Sequence, residues 1–160
     1  MSVDLPVRIH ATSIAVEGSA AIIRGASGTG KSDLALRCLT MAPGALTAGP
    51  AVLVADDYTE LYLEDGELRA RAPAEIANLM EVRGLGVMEV PALESARAAL
   101  VVDLAEPSTI ERLPLGANEI DVVGYTLPML RLAAFEASSP AKLLLALDFV
   151  RRHGRLPGAG

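Results

Sequence analysis

Among 160 residues there is one cysteine, no tryptophan, two histidines and only 3% aromatic side chains. The lone Cys38 excludes an internal disulfide, so the fold does not depend on an oxidising compartment. Basic charge is also short: 14 Lys and Arg face 20 Asp and Glu, leaving a net charge of −6 and a pI near 4.9. That balance argues against the clustered basic face that nucleic-acid binding requires, so any anionic ligand is expected to be held locally. Long apolar runs are missing, because 21% charged residues interrupt a chain that is 51% hydrophobic, which excludes a membrane span. A mean hydropathy of +0.38 equally excludes disorder. Asp4, Pro6 and Arg8 break up the first ten residues, so no secretory leader is read there and a cytoplasmic location is expected. The length suits one domain, read as residues 1–154 with a flexible tail over 155–160, and no repeat or linker divides it.

Turn residues and apolar periodicity predict the elements. Ile9 to Val16 and Ala20 to Arg24 read as two strands joined at Glu17, Gly18 and Ser19, with His10 inside the first. A glycine-rich loop follows. Leu34, Ala35, Cys38, Leu39 and Met41 then recur at helical spacing until Pro43 and Gly44. Val52 to Ala55 reads as a buried strand ending in Asp56 and Asp57, and Asp65-Gly66 as a hairpin turn between Leu63 and Leu68. The stretch from Leu79 to Val90 is predicted to pass from loop to strand, and Leu100 to Leu104 to form another buried strand. Ser139 as N-cap and Pro140 at the first helical position open a last helix that stops at Gly154.

Gly25, Ala26, Ser27, Gly28, Thr29, Gly30, Lys31 and Ser32 fit the phosphate-loop spacing of glycine, four residues, glycine, lysine and serine. Glycines let successive backbone N–H groups curl round a triphosphate, and the helix that follows adds its positive end. Lys31 is placed to reach the outer phosphates and Ser32 to ligate magnesium. Asp56 and Asp57 are either solvated strand-end acids or, opposite such a loop, one carboxylate near the metal and one facing an incoming hydroxyl. Glu81 to Glu89 packs Glu81, Arg83, Gly84 and Gly86 into nine residues; spacing alone leaves open a surface turn or a metal-directed carboxylate with a guanidinium anion partner. His10 reads as a core histidine, Arg112 as a solvated charge, and Cys38 as buried and inert.

Gly25 to Ser32, LVADD over 53–57 and EVRGLGVMEV over 81–90 together resemble the catalytic domain of bacterial HPr kinase/phosphorylase, the third motif looking like that family's own signature. The resemblance covers nearly the whole chain and corresponds to the C-terminal domain of longer members. It implies an α/β phosphate-loop kinase domain with a mixed twisted sheet and a C-terminal helix. The implied activity is phosphorylation of a serine on the phosphocarrier HPr with ATP and Mg2+, in a homo-oligomer that is a hexamer by family analogy. Residue by residue, it implies that His10 is an active-site histidine, Lys31 the loop lysine, Asp57 the proton acceptor and Arg112 a catalytic arginine. Ser32 and Glu81 take the role of magnesium ligands, with Asp56 beside them. Two departures stand out. Ala51 and Val52 replace a polar, histidine-containing run. Met129 to Ala134 replaces a proline-glycine-arginine-asparagine sequence linked to dephosphorylation, so weak or absent phosphorylase activity is expected. A kinase of the same fold with another acceptor, or a nucleotide-binding regulator, are the alternatives.

Overall fold

The computed structural model describes residues 4–47, 49–114 and 118–158. Eleven strands and two helices follow one another: β1 (Val7–Ile9), β2 (Ala11–Val16), β3 (Ser19–Arg24), α1 (Lys31–Thr40), β4 (Val52–Ala55), β5 (Thr59–Glu64), β6 (Glu67–Arg71), β7 (Leu79–Val82), β8 (Gly86–Glu89), β9 (Ala96–Leu104), β10 (Glu119–Val122), β11 (Tyr125–Leu132) and α2 (Ser139–His153). Nine strands form one mixed sheet in the order β1-β5-β6-β9-β3-β2-β4, with β11 also against β9 and β10 against β11. The α/β expectation is met, with far more strand than helix.

The centre of the sheet is the most apolar part of the chain. Residues 20–23 of β3 and 98–102 of β9 are buried on both faces, as parallel neighbours covered on two sides must be. Alternation then sorts their side chains. Ala21, Ile23, Leu100 and Val102 join Leu34, Cys38, Leu143 and Leu147 of the two helices. Ala20, Ile22 and Val101 face the other way, against Leu61, Leu68, Ala70, Val122 and Leu127 from the outer strands, so the sheet curls around a second core. Each fully buried Ile or Leu contributes about 1.5–3 kcal/mol of transfer free energy. The Asp65-Gly66 turn is a tight hairpin, both residues left-handed at φ 52° and 78°, and it joins β5 to β6 as the sequence predicts.

Strand directions place the site. β9 and β11 run parallel to β3, and β4, antiparallel to β2, also runs with β3. The carboxyl ends of β4, β3, β9 and β11 therefore share one edge, the position where open α/β sheets bind ligands.

Several expectations are corrected. The predicted strand from Ile9 to Val16 breaks at His10, because β1 pairs with β5 while β2 pairs with β3 and β4; His10 thus sits at a bend and not inside a strand. The segment 79–90 is a separate two-stranded hairpin, β7 with β8, and β8 is exposed throughout. The fourth buried strand begins at Ala96, four residues early, and the β10–β11 hairpin was not foreseen. Ser139 is the first residue of α2 and not its cap; its buried hydroxyl donates to the Ala133 carbonyl. Leu156, placed by sequence in a flexible tail, is buried in the helix-side core, while residues 159–160 of that tail lie outside the described residues. Among the described residues no helix is long and apolar enough to cross a membrane.

Burial pushes the Cys38 thiol up to about 12, against the opposing charge of Arg37, so the folded chain keeps it protonated well above neutral pH. At pH 8 a thiol-disulfide reagent is expected to react with native protein on the order of a thousandfold slower than with urea-unfolded chain. A native rate within about tenfold of the unfolded rate contradicts this packing.

Candidate functional site

The loop between β3 and α1 starts from a braced strand end. Arg24, the last residue of β3, donates Nε to Asp103 Oδ1 at 2.7 Å and Nη2 to Oδ2 at 2.8 Å, across a register that pairs the two residues on parallel strands. These hydrogen bonds push the guanidinium pKa up against the opposing effect of burial. The fork is geometrically specific as well as charge-assisted, so the strand end entering the loop is held in place. At the other end Gly30 caps α1 with φ 101°, a left-handed backbone that a side chain rarely adopts. Lys31 is buried, and its Nζ donates back over the loop to the carbonyls of Gly25 at 2.8 Å and Ala26 at 3.0 Å.

Three elements converge on Asp56, which is 5% exposed. Ser32 Oγ of α1 donates to Oδ1 at 2.6 Å, Thr12 Oγ1 of β2 donates to the same oxygen at 3.2 Å, and the Glu81 backbone N–H of β7 donates to Oδ2 at 3.1 Å. A buried carboxylate needs such donors, since leaving it unpartnered costs several kcal/mol (order of magnitude). Asp57 turns the other way. Its backbone is left-handed at φ 66°, its N–H donates to Thr12 Oγ1 at 3.1 Å, and its carboxylate is largely exposed. There it accepts from His10 Nε2 at 2.8 Å. The His10 ring in turn lies 5.2 Å from that of Tyr58, centroid to centroid. Thr12 thus spans both acids, accepting from one and donating to the other.

The structure therefore brings His10, Lys31, Ser32, Asp56 and Asp57 to one edge. Glu81 arrives through its amide: its side chain is exposed on β7 and makes no ion pair with another described residue. Arg112, in the segment that follows β9, is exposed at a bend and makes no hydrogen bond or ion pair to a described residue. Thr12 was missed. Its only sequence signal was a hydroxyl in an apolar strand, which a strand face also accommodates.

Ser32 Oγ and the Asp56 carboxylate are hard oxygen donors already within 2.6 Å of one another. Among the described residues no three His, Cys, Asp or Glu side chains form a metal cluster. That set fits Mg2+, which takes one or two protein oxygens and completes its shell from phosphates and water.

Residues 4–152 match the family model of the HPr Serine kinase C-terminal domain. Among curated proteins, the chain is similar to the HPr kinase/phosphorylase of Chlorobium limicola, 33% identical over 165 aligned positions that cover 94% of this chain and 47% of that protein. It is also 31% identical to that of Cupriavidus necator over 150 positions, covering 88% and 44%. The chain spans about half the length of these relatives. The solved structure of the Hpr(Ser) kinase/phosphatase from Coxiella burnetii superposes with a TM-score of 0.73 at 19% identity, over 92% of this chain and 90% of that one, a likeness of fold.

Replacing Thr12 by Val keeps the shape but leaves the Asp57 N–H without its acceptor and removes one donor from Asp56. The expected loss is about 1–3 kcal/mol in urea unfolding, largely restored by Thr12→Ser. Equal stability of Thr12→Val and the parent chain would show that the hydroxyl does not join the two acids.

Proposed function

The chain belongs to the family of the HPr serine kinase C-terminal domain, and we propose that it transfers the γ-phosphoryl group of ATP to a serine hydroxyl of an HPr-type phosphocarrier. One observation carries the reading: a phosphate loop whose Ser32 is bonded to a buried Asp56, beside an exposed Asp57 held by His10. A switch that only senses nucleotide needs a positioned water; an outward carboxylate oriented by an imidazole suits an incoming hydroxyl better.

In the proposed reaction the loop N–H groups and Lys31 hold the β- and γ-phosphates, Lys31 exchanging the Gly25 and Ala26 carbonyls for phosphate oxygens. Ser32 and Asp56 and, by family resemblance, Glu81 would hold Mg2+, which when bound would neutralise phosphate charge. Asp57 accepts the serine proton as the new O–P bond forms in line and the bond to the ADP oxygen breaks. His10 keeps the Asp57 carboxylate turned toward the acceptor. No step is assigned to Arg112, which makes no hydrogen bond or ion pair to a described residue.

The reverse reaction, phosphorolysis of phosphoserine by inorganic phosphate, is proposed to be weak. It needs a second anion site, and the cations near 127–136 are engaged. Arg131 donates to the Thr109 carbonyl at 2.8 Å and to its hydroxyl at 3.0 Å. Arg37 donates to the Ala134 and Glu136 carbonyls and pairs with Asp33.

With γ-labelled ATP and purified HPr, the chain is expected to label a serine. Asp57→Asn should keep MgATP binding and lose roughly 10²–10⁴-fold in turnover, the usual contribution of a positioned base, whereas Lys31→Ala should lose binding as well. Parallel loss of nucleotide affinity in both variants, with no separate effect on chemistry, contradicts the Asp57 role. Pyrophosphate release from serine-phosphorylated HPr at millimolar phosphate should fall well below forward turnover. Equal rates would place a second anion site at Arg131 or on a neighbouring subunit.

A further inference from the structure

Phe135 is one of only two phenylalanines and is 69% exposed. A single exposed apolar side chain is ordinary; the placement of this one is not. Its ring lies against Gly30, the residue that opens α1: a Cβ built on Gly30 would stand 2.7 Å from Phe135 Cζ and 2.9 Å from Ala134 Cβ. Position 30 is thus glycine for two reasons, its φ and the closeness of this ring.

The backbone on both sides of Phe135 is clamped. Arg37, reaching from α1, donates to the Ala134 carbonyl and, at 3.4 Å, to that of Glu136. Asp33 fixes the same guanidinium at 2.9 Å. Ser139 adds its hydroxyl to the Ala133 carbonyl and its N–H to that of Glu136 at 3.1 Å. An aromatic side chain held this way loses little further freedom when something packs on it.

Sheet order says what that is. The loop leaves β3. Asp56 and Asp57 follow β4, two strands to one side, and Phe135 follows β11, two strands to the other. A triphosphate lying across the loop with its γ end at Asp57 directs its nucleoside toward β11. We propose that Phe135 is the stacking platform for the base of the nucleotide; this rests on the phosphate-loop reading and extends it to the part of the ligand that the loop does not hold. The face of a base and the face of a fixed phenyl ring pack with their charge distributions offset.

The test compares ATP with inorganic tripolyphosphate, both with Mg2+, by calorimetry on the whole chain. Parent protein is expected to bind ATP about tenfold or more tighter than tripolyphosphate, in keeping with base–aromatic stacking. Phe135→Ala should remove that preference and leave tripolyphosphate affinity unchanged. Because the chain contains no tryptophan, Phe135→Trp supplies a unique indole, whose emission should be quenched by ATP and not by tripolyphosphate. Binding of neither ligand to parent protein would overturn the phosphate-loop reading itself. Retention of the full ATP preference in Phe135→Ala, with or without a change in oligomeric state, would overturn the platform while leaving that reading intact.

Discussion

A carboxylate buried among three donors is the constraint on which the rest of the site depends. Asp56 collects a hydroxyl from the helix after the glycine loop, a hydroxyl from β2 and an amide from the exposed hairpin. The sheet already fixes β2 beside β4, and the shared acceptor ties the helix and the exposed hairpin to that strand end to within a hydrogen bond. The cost of leaving such a charge unpartnered far exceeds the worth of any single bond to it. The loop, the strand end that carries Asp57 and the hairpin are consequently set relative to one another. Asp57 gains from this indirectly: the turn that buries its neighbour directs its own carboxylate outward to His10.

Net charge poses a second problem for the proposed reaction, in which a chain at −6 accepts a polyanion. The solution is local. Two cations near the site are committed to structure, Arg24 to Asp103 and Arg37 to Asp33 and two carbonyls. The positive field is then left to backbone N–H groups, the start of α1 and Lys31, which act over a short range and lose little to the acidic surface beyond it. Arginines here hold loops in shape.

What the sequence made legible was local. Gly25 to Ser32 carries its own spacing, Asp65-Gly66 its own turn, and 52–55 its own burial. Asp56 and Asp57 were singled out together because they end that strand, but their opposite orientations depend on Thr12, 44 and 45 residues away. His10 was misplaced for a similar reason: nothing between Ile9 and Ala11 announces that the chain changes sheet partner there, since the partners β5, β3 and β4 lie elsewhere in the sequence. The segment 79–90 reads as passing from loop to strand because Gly84 and Gly86 interrupt its apolar runs; both halves are strands, and Leu85, Val87 and Met88 face solvent where the pattern of a half-buried strand would turn them inward. Phe135 carried no signal either, its placement coming from contacts to Gly30 and Arg37 made only in the fold.

In the proposed reaction Asp56 couples the phosphate loop to a divalent cation. The most direct measurement is ATP affinity with and without Mg2+ for the parent chain and for Asp56→Asn, with folding of both checked by urea unfolding. Mg2+ should tighten ATP binding to the parent chain by about tenfold or more, roughly 1.4 kcal/mol, and this gain should collapse in Asp56→Asn while metal-free affinity stays the same. An undiminished Mg2+ effect in folded Asp56→Asn would contradict the claim.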